Sequence, residues 1–193
     1  MDAISRADRA DDAALLAGLA LDDPSVSAAF VRRFQRAVYG MAVSITRDPA
    51  LAEDVSQEVF LRAWGAAGGY DPRRASVLTW ILTIARNAAI DAVRARRSTP
   101  TDDGILHQLL HETTSTAPDL EETAMHRIEA DRAVRRLHHL SPEQARAVVL
   151  AVLAGCTAAE VSQVENIPLG TAKTRIRDGL RRLRREVQEG GRA

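Results

Sequence analysis

The sequence predicts an all-α protein of two small helical domains joined by a flexible acidic linker. Three observations carry that prediction. Apolar residues recur at helix-face spacing on both sides of residues 98–122 and lose that spacing between them. Acid–proline pairs and Ser/Thr-x-x-Glu/Gln patterns mark helix starts. The charge also alternates: net −3 over residues 1–69, +4 over 70–97, −7 over 98–131 and +6 over 132–193, within a chain of zero net charge. Two basic blocks separated by an acidic one suggest two nucleic-acid contacts joined by a segment that avoids nucleic acid.

Composition bounds the function. With 193 residues, 46% of them apolar, the chain can bury a core of one domain or two small ones. The longest apolar run, Ala147 to Ala154, is too short to span a bilayer. The opening MDAISRADRADD lacks the charged-then-apolar pattern of a signal peptide, so a soluble cytoplasmic protein is expected. Cys156 is the only cysteine, which excludes an internal disulfide and a cysteine zinc cluster. No Ser/His/Asp order, phosphate loop or metal-ligand set stands out, so no catalytic residue, metal or cofactor is expected. His107 and His111 sit four apart, but no third ligand on a rigid element accompanies them.

In the first half, residues 11–21 read as a short amphipathic helix. Asp23 and Pro24 open a helix that runs to Thr46, with Phe30, Phe34, Ala37, Val38, Met41 and Ile45 on its apolar side. Asp48 and Pro49 open the next one in the same manner. In LAEDVSQEVFLRAW (51–64), Ala52, Val55, Val59 and Ala63 form the core side, and Asp54, Gln57, Glu58 and Leu61 project oppositely. Spacing alone favours solvated surface there over a docking face for a basic partner. Gly65 to Asp71 breaks the pattern. A long helix over 77–97 then has Leu78, Ile81, Leu82, Ala85, Ala89 and Val93 as its core. Asn87, Asp91 and Arg94 lie on another face. The helix dipole accounts for Arg94, Arg96 and Arg97 near its end, but less well for Asn87 and Asp91 one and two turns earlier.

Residues 98–122 hold Ser, Thr, Pro and acids with a brief apolar patch, the composition of a linker. Ile128, Val134 and Leu137 resume helical spacing. Ser141, Pro142 and Gln144 cap a helix that stops near Gly155. The stretch TAAEVSQVENIPLGTAKTRIRDGLRRLRR (157–185) then reads as a helix, a tight turn and a second helix. Thr157 and Glu160 form a capping box, Asn166 tolerates a left-handed turn, and Pro168 suits a helix opening. Leu169, Ala172, Ile176, Leu180 and Leu183 make the stripe expected to be buried. Thr171, Thr174, Asp178, Arg181 and Arg185 point the opposite way, with Lys173 and Arg177 on one flank. From Asn166 to Arg185 there are seven basic residues and one acid. That imbalance favours a DNA-binding helix-turn-helix over a basic surface helix or a protein-binding face.

Taken together, these segments resemble a sigma factor of the extracytoplasmic-function (ECF) type within the sigma-70 family. DVSQEVFLRAW (54–64) resembles the segment that grips the polymerase clamp, and TWILTIARNAAIDAVRARR (79–97) the segment that opens and reads the −10 promoter element. LSPEQARAVVLAVLAG (140–155) and PLGTAKTRIRDGLRRLR (168–184) resemble the domain that reads the −35 element, and TRIRDGL (174–180) is similar to the sigma-K subgroup. The resemblance implies sigma region 2 over residues 1–98, a linker over 99–124, and sigma region 4 with its helix-turn-helix over 125–193. It implies a non-enzymatic initiation factor whose partners are core RNA polymerase (the β′ clamp helices and the β flap), promoter DNA and an anti-sigma factor, without membrane insertion.

The resemblance also assigns residues. Asp54, Gln57, Glu58, Phe60 and Leu61 align with polymerase contacts. Tyr70, Asn87, Asp91, Arg94, Arg96 and Arg97 are assigned to the −10 element, Tyr70 in a loop that captures an unstacked base while Trp80 belongs to the core. Thr171, Lys173, Thr174, Arg175, Arg177, Asp178 and Arg181 are assigned to the −35 element. Asp178 departs from the basic residue common in the family; an acid there can accept from cytosine or orient a neighbouring arginine. The competing reading, a helix-turn-helix regulator that does not bind polymerase, explains residues 157–185 but leaves helix 51–64 idle.

Overall fold

The computed structural model describes residues 6–98 and 137–190, with side chains for 11–97 and 137–186. Those residues form seven α-helices and no strand: α1 (Arg6–Ala20), α2 (Pro24–Thr46), α3 (Pro49–Ala66), α4 (Val77–Ser98), α5 (Pro142–Val152), α6 (Ala158–Glu165) and α7 (Leu169–Gly190). A 3-10 turn, Ala67–Gly69, follows α3. The all-α, two-part architecture is as the sequence predicts. The acidic linker, His107, His111 and the helical spacing at Ile128 and Val134 lie outside the described residues.

In the first half, local chemistry sets the helix starts. The Asp23 carboxylate accepts from the backbone N–H groups of Ser25 and Val26, and that of Asp48 from Leu51, each with a proline in the first turn. Each acid thereby satisfies amide donors that a helix start leaves without partners. α2 ends at Arg47, whose left-handed backbone (φ 58°) turns its N–H back onto the Val43 carbonyl. Phe30, Phe34, Val38 and Met41 of α2 are fully buried with Val59 of α3 and Ile81 and Leu82 of α4. α1 is fastened across α2 by Asp12, almost sealed from solvent, which pairs with Arg33 at 2.8 Å.

The second half follows the same logic with neutral caps. Ser141 with Gln144, and Thr157 with Glu160, both close complete capping boxes. Asn166 (φ 52°, ψ 54°) makes the left-handed turn out of α6, and the Ser162 hydroxyl bonds the Ile167 carbonyl across it. α5 and α7 approach closely at Gly179, where an added Cβ would lie 2.6 Å from Val148 Cγ2. Two expected core positions are corrected. Leu169 is 44% exposed, because it is the first residue of α7 and the buried stripe begins only at Ala172. Val93 is half-buried, since the buried run of α4 ends at Ala89.

The halves are in contact. α2 packs on α5 and α4 on α6, and one apolar cluster runs through both. Gly40 of α2 faces α5 so closely that an added Cβ would sit 2.9 Å from Leu153 Cδ1. Arg47 reaches across to donate to the carbonyls of Leu137 and Leu140, the segment leading into α5.

Candidate nucleic-acid interface

Three faces emerge from this frame. The first is on α3, whose core side (Ala52, Val55, Val59, Ala63) is buried as expected. Gln57, Glu58 and Leu61 are exposed and Asp54 is half-buried. Glu58 pairs with Arg62 one turn on, at 2.8 Å. Phe60 turns inward instead, its ring meeting Phe30 edge-on with centroids 6.3 Å apart. Trp64, not singled out in the sequence, is half-exposed beside this face, and its indole N–H donates to Asp22. Leu61 and Trp64 thus give an acidic face an apolar component. An aromatic one turn beyond Phe60, off the core spacing, was the available signal.

The second face is on α4. Asn87, Asp91, Arg94, Arg96 and Arg97 are all exposed. Arg96 is fastened to the Asp48 carboxylate that caps α3. Burial raises Asp48's pKa, but the hydrogen bonds from Arg96 and from Leu51 N–H outweigh it and leave it below its ordinary value. Tyr70 is half-buried beside this helix. Its hydroxyl donates to the Ala75 carbonyl at 2.8 Å and its ring meets Trp80 with centroids 5.6 Å apart. Burial, then the charges of Asp12 and Asp71, push the Tyr70 phenol up. Trp80 packs against the core as expected. Arg73 and Arg74 add two exposed cations in the Tyr70 loop that sequence reasoning passed over.

The third face is on α7. Lys173, Thr174, Arg177 and Arg181 are exposed; Thr171, Arg175 and Asp178 are partly covered. The Arg177 Nε donates to Asp178 at 3.0 Å, so the unexpected acid restrains a neighbouring guanidinium. Between α5 and α7 lies a groove of about 550 Å³, its floor including Cys156, Ile176 and Leu180 and its rim Lys173, Arg177, Arg181 and Arg184. Burial, with Glu160 nearby, pushes the Cys156 thiol up to about 12, so it stays protonated and inert near neutrality. Among the described residues no group of His, Cys, Asp and Glu could hold a metal, and no helix is long and apolar enough to cross a membrane.

A helix-turn-helix with a cationic second helix, packed on a helical unit with its own basic face, defines a two-part, all-helical protein of the helix-turn-helix class. Residues 30–99 match the Sigma-70 region 2 family and residues 130–183 the Sigma-70, region 4 family. The ECF RNA polymerase sigma factor SigK of Mycobacterium sp. (strain JLS) is 34% identical over 173 residues, 88% of this chain and 87% of the relative. That of Mycobacterium ulcerans (strain Agy99) is also 34% identical, over 91% of this chain and 94% of the relative. Among solved structures, CnrH in complex with the cytosolic domain of CnrY shares the fold (TM-score 0.63, 21% identity, 92% of this chain and 97% of that one). So does the sigma factor RpoE in complex with the anti-sigma factor NepR from Bartonella quintana (TM-score 0.58, 20% identity, 82% and 94%). The chain belongs to the sigma-70 family of transcription-initiation factors, in its ECF branch.

Proposed function

We propose that this chain recruits core RNA polymerase through α3, reads and helps open the −10 element with α4, and reads the −35 element with α7. The observation that carries the proposal is the sequence match to both family regions in order, with three unlike exposed faces on them. Gln57, Glu58 and Leu61, with Asp54 at their edge, would meet a basic surface of the β′ clamp helices, and the second domain the β flap. Phe60 would support that face from below through Phe30 rather than touch polymerase. Residues 1–98 and 125–193 would be the two functional units, with 99–124 as linker.

On α4, Asn87, Asp91 and Arg94 would engage unpaired −10 bases, with Arg97 on phosphate and Arg96 held partly in reserve by Asp48. Holding a base outside the stack costs a few kcal/mol, offset by pocket contacts. Tyr70 offers a ring to such a base, its hydroxyl already committed to Ala75. On α7, Lys173, Thr171, Thr174 and Arg181 would meet backbone phosphates. Arg177, steadied by Asp178, would read a base edge, worth roughly 1–3 kcal/mol of discrimination; Arg175 would lend charge from the flank. Polymerase supplies all the catalysis, so the chain is a cytoplasmic non-enzyme. An anti-sigma factor would control it by covering the α3 face or wedging between the domains; the complex of RpoE, which shares the fold, with the anti-sigma factor NepR supports such a partner. In vitro transcription of a genomic library with core polymerase plus this protein tests the whole reading. Promoter-specific transcripts are expected; failure to co-purify with core polymerase at low salt would refute it.

A further inference from the structure

The carboxylate of Glu165, at the end of α6, is 1% exposed, and each of its oxygens is held by a different helix. Oε2 accepts from Arg146 of α5 at 2.8 Å, a bond within the second domain. Oε1 accepts from Arg86 of α4 at 3.3 Å, a bond between the domains. The two guanidiniums are mostly covered, 25% exposed at Arg86 and 16% at Arg146. A buried carboxylate loses its water and is tolerable only while such partners remain, so losing one is costly. The contacts of Gly40 with Leu153 and of Arg47 with the Leu137 and Leu140 carbonyls lie along the same interface.

We infer that Glu165, clamped between Arg86 and Arg146, is a latch that holds the two domains closed and must release before both promoter elements can be read. The latch itself stands on this geometry; its consequence rests on the sigma-factor reading above. Arg86 precedes Asn87, a proposed −10 reader, and Glu165 precedes the turn into the proposed −35 reading helix. In the closed form those readers belong to one folded body, and a chain of this length has a radius of gyration of about 16 Å. The −10 and −35 elements, about 25 base pairs apart by the positions that name them, are separated by about 85 Å of B-form duplex. The closed form cannot span that distance. When α4 leaves α6, Arg146 remains on Glu165, so the acid is never left buried alone and the second domain keeps its own ion pair.

The test uses the full chain carrying Gly40→Cys and Leu153→Cys. A Cβ at Gly40 lies 3.9 Å from the Leu153 Cβ, inside the roughly 3.5–4.5 Å range of a disulfide. Mild oxidation is expected to cross-link the free protein within one chain. The oxidised form should then lose promoter-directed initiation with core polymerase and regain it on reduction. Adding Arg86→Glu, which sets a carboxylate against Glu165, should slow the cross-link by about tenfold or more, as loss of a charge-assisted bond predicts. Arg86→Gln should slow it less, and serves if the charge reversal lowers helicity. Absence of the cross-link, a rate indifferent to both Arg86 variants, or full activity of the oxidised protein overturns the latch. If the reduced protein also fails to initiate, the sigma-factor reading fails, while cross-linking rates measured without polymerase still decide whether the latch exists.

Discussion

Helices α4 and α7 are each 22 residues long and both carry exposed arginines, yet they are built in opposite ways. α4 is a pillar of its domain: Ile81, Leu82, Ala85, Ala88 and Ala89 are buried against α2 and α3. α7 buries only Ala172 and Gly179 along its described length, and its larger apolar residues are partly covered. Arg96 of α4 is tied to Asp48, whereas Arg181, Arg184 and Arg185 of α7 make no ion pair with a described residue. The contrast suits the two tasks proposed for these helices. Holding unpaired bases needs side chains on an immovable backbone. Neutralising duplex phosphates needs charge, and tolerates motion.

If that contrast is real, truncation inside the two helices should separate stability from binding. Ile81→Ala, at a fully buried site, is expected to cost about 2–5 kcal/mol and to unfold the first domain well before the second. Leu180→Ala, at a partly covered site, should cost about half as much. Urea denaturation of both variants measures this, and equal losses would remove the distinction between pillar and strip.

Exposed positions should behave the other way, with little stability change and a clear loss of binding. Arg177→Ala is expected to weaken binding to a −35 duplex by roughly 1–3 kcal/mol and to relax preference at one base pair. Lys173→Ala should weaken binding to all sequences and lower the salt slope by about 1. Polymerase binding should persist in both. Fluorescence anisotropy across a salt series distinguishes the two effects. A Lys173 variant that altered base preference, or an Arg177 variant that did not, would exchange their roles.

The α3 face supplies the converse. Glu58→Lys is expected to weaken co-purification with core polymerase by about tenfold, as opposing like charges at an interface do, while −35 duplex binding is retained. Stability should hardly move, because the Glu58–Arg62 pair is exposed and such pairs contribute about 0.3–0.5 kcal/mol. Loss of DNA binding instead would place Glu58 in the wrong interface.

What was legible in the sequence was what the chain decides locally. Asp23, Asp48, Ser141 and Thr157 could be read as caps because the partners of each lie within four residues. Asn166 could be read as a turn for the same reason. The buried positions of α3 followed from spacing alone. Three features were not legible because they depend on distant neighbours. Glu165 is an ordinary helical glutamate until Arg86 and Arg146 converge on it from two other helices. Gly40 and Gly179 look like weak points in helices until α5 packs against both. Leu169 fits the apolar stripe by period, yet it precedes the point where α7 first becomes buried. The three exposed faces were visible as patterns of charge, but their division of labour came from the family resemblance.

The smallest expected effect sharpens the comparison at the foot of the pillar. Asp48 caps α3 and also accepts from Arg96 at the far end of α4, so one carboxylate joins the start of one helix to the end of another. Its pKa is held below the ordinary carboxylate value, despite burial, by the bonds from Arg96 and Leu51 N–H. A carboxylate depressed in the folded state stabilises the fold above its unfolded pKa of about 3.9, and that contribution is lost as pH falls through the folded value. Asp48→Asn keeps a capping oxygen but loses the charge that Arg96 meets. At pH 7 it should therefore cost only about 0.2–1 kcal/mol, the range of a partly exposed pair. Below about pH 4 the gap from wild type should begin to shrink, and it should close as pH falls through Asp48's lower folded value, where protonation brings it to the same neutral state. Thermal melts of both proteins from pH 7 to pH 3 follow that gap. A gap independent of pH would mean that Asp48 acts through its cap alone and that Arg96 gains no more from its partner than Arg181, Arg184 and Arg185 of α7 gain among the described residues.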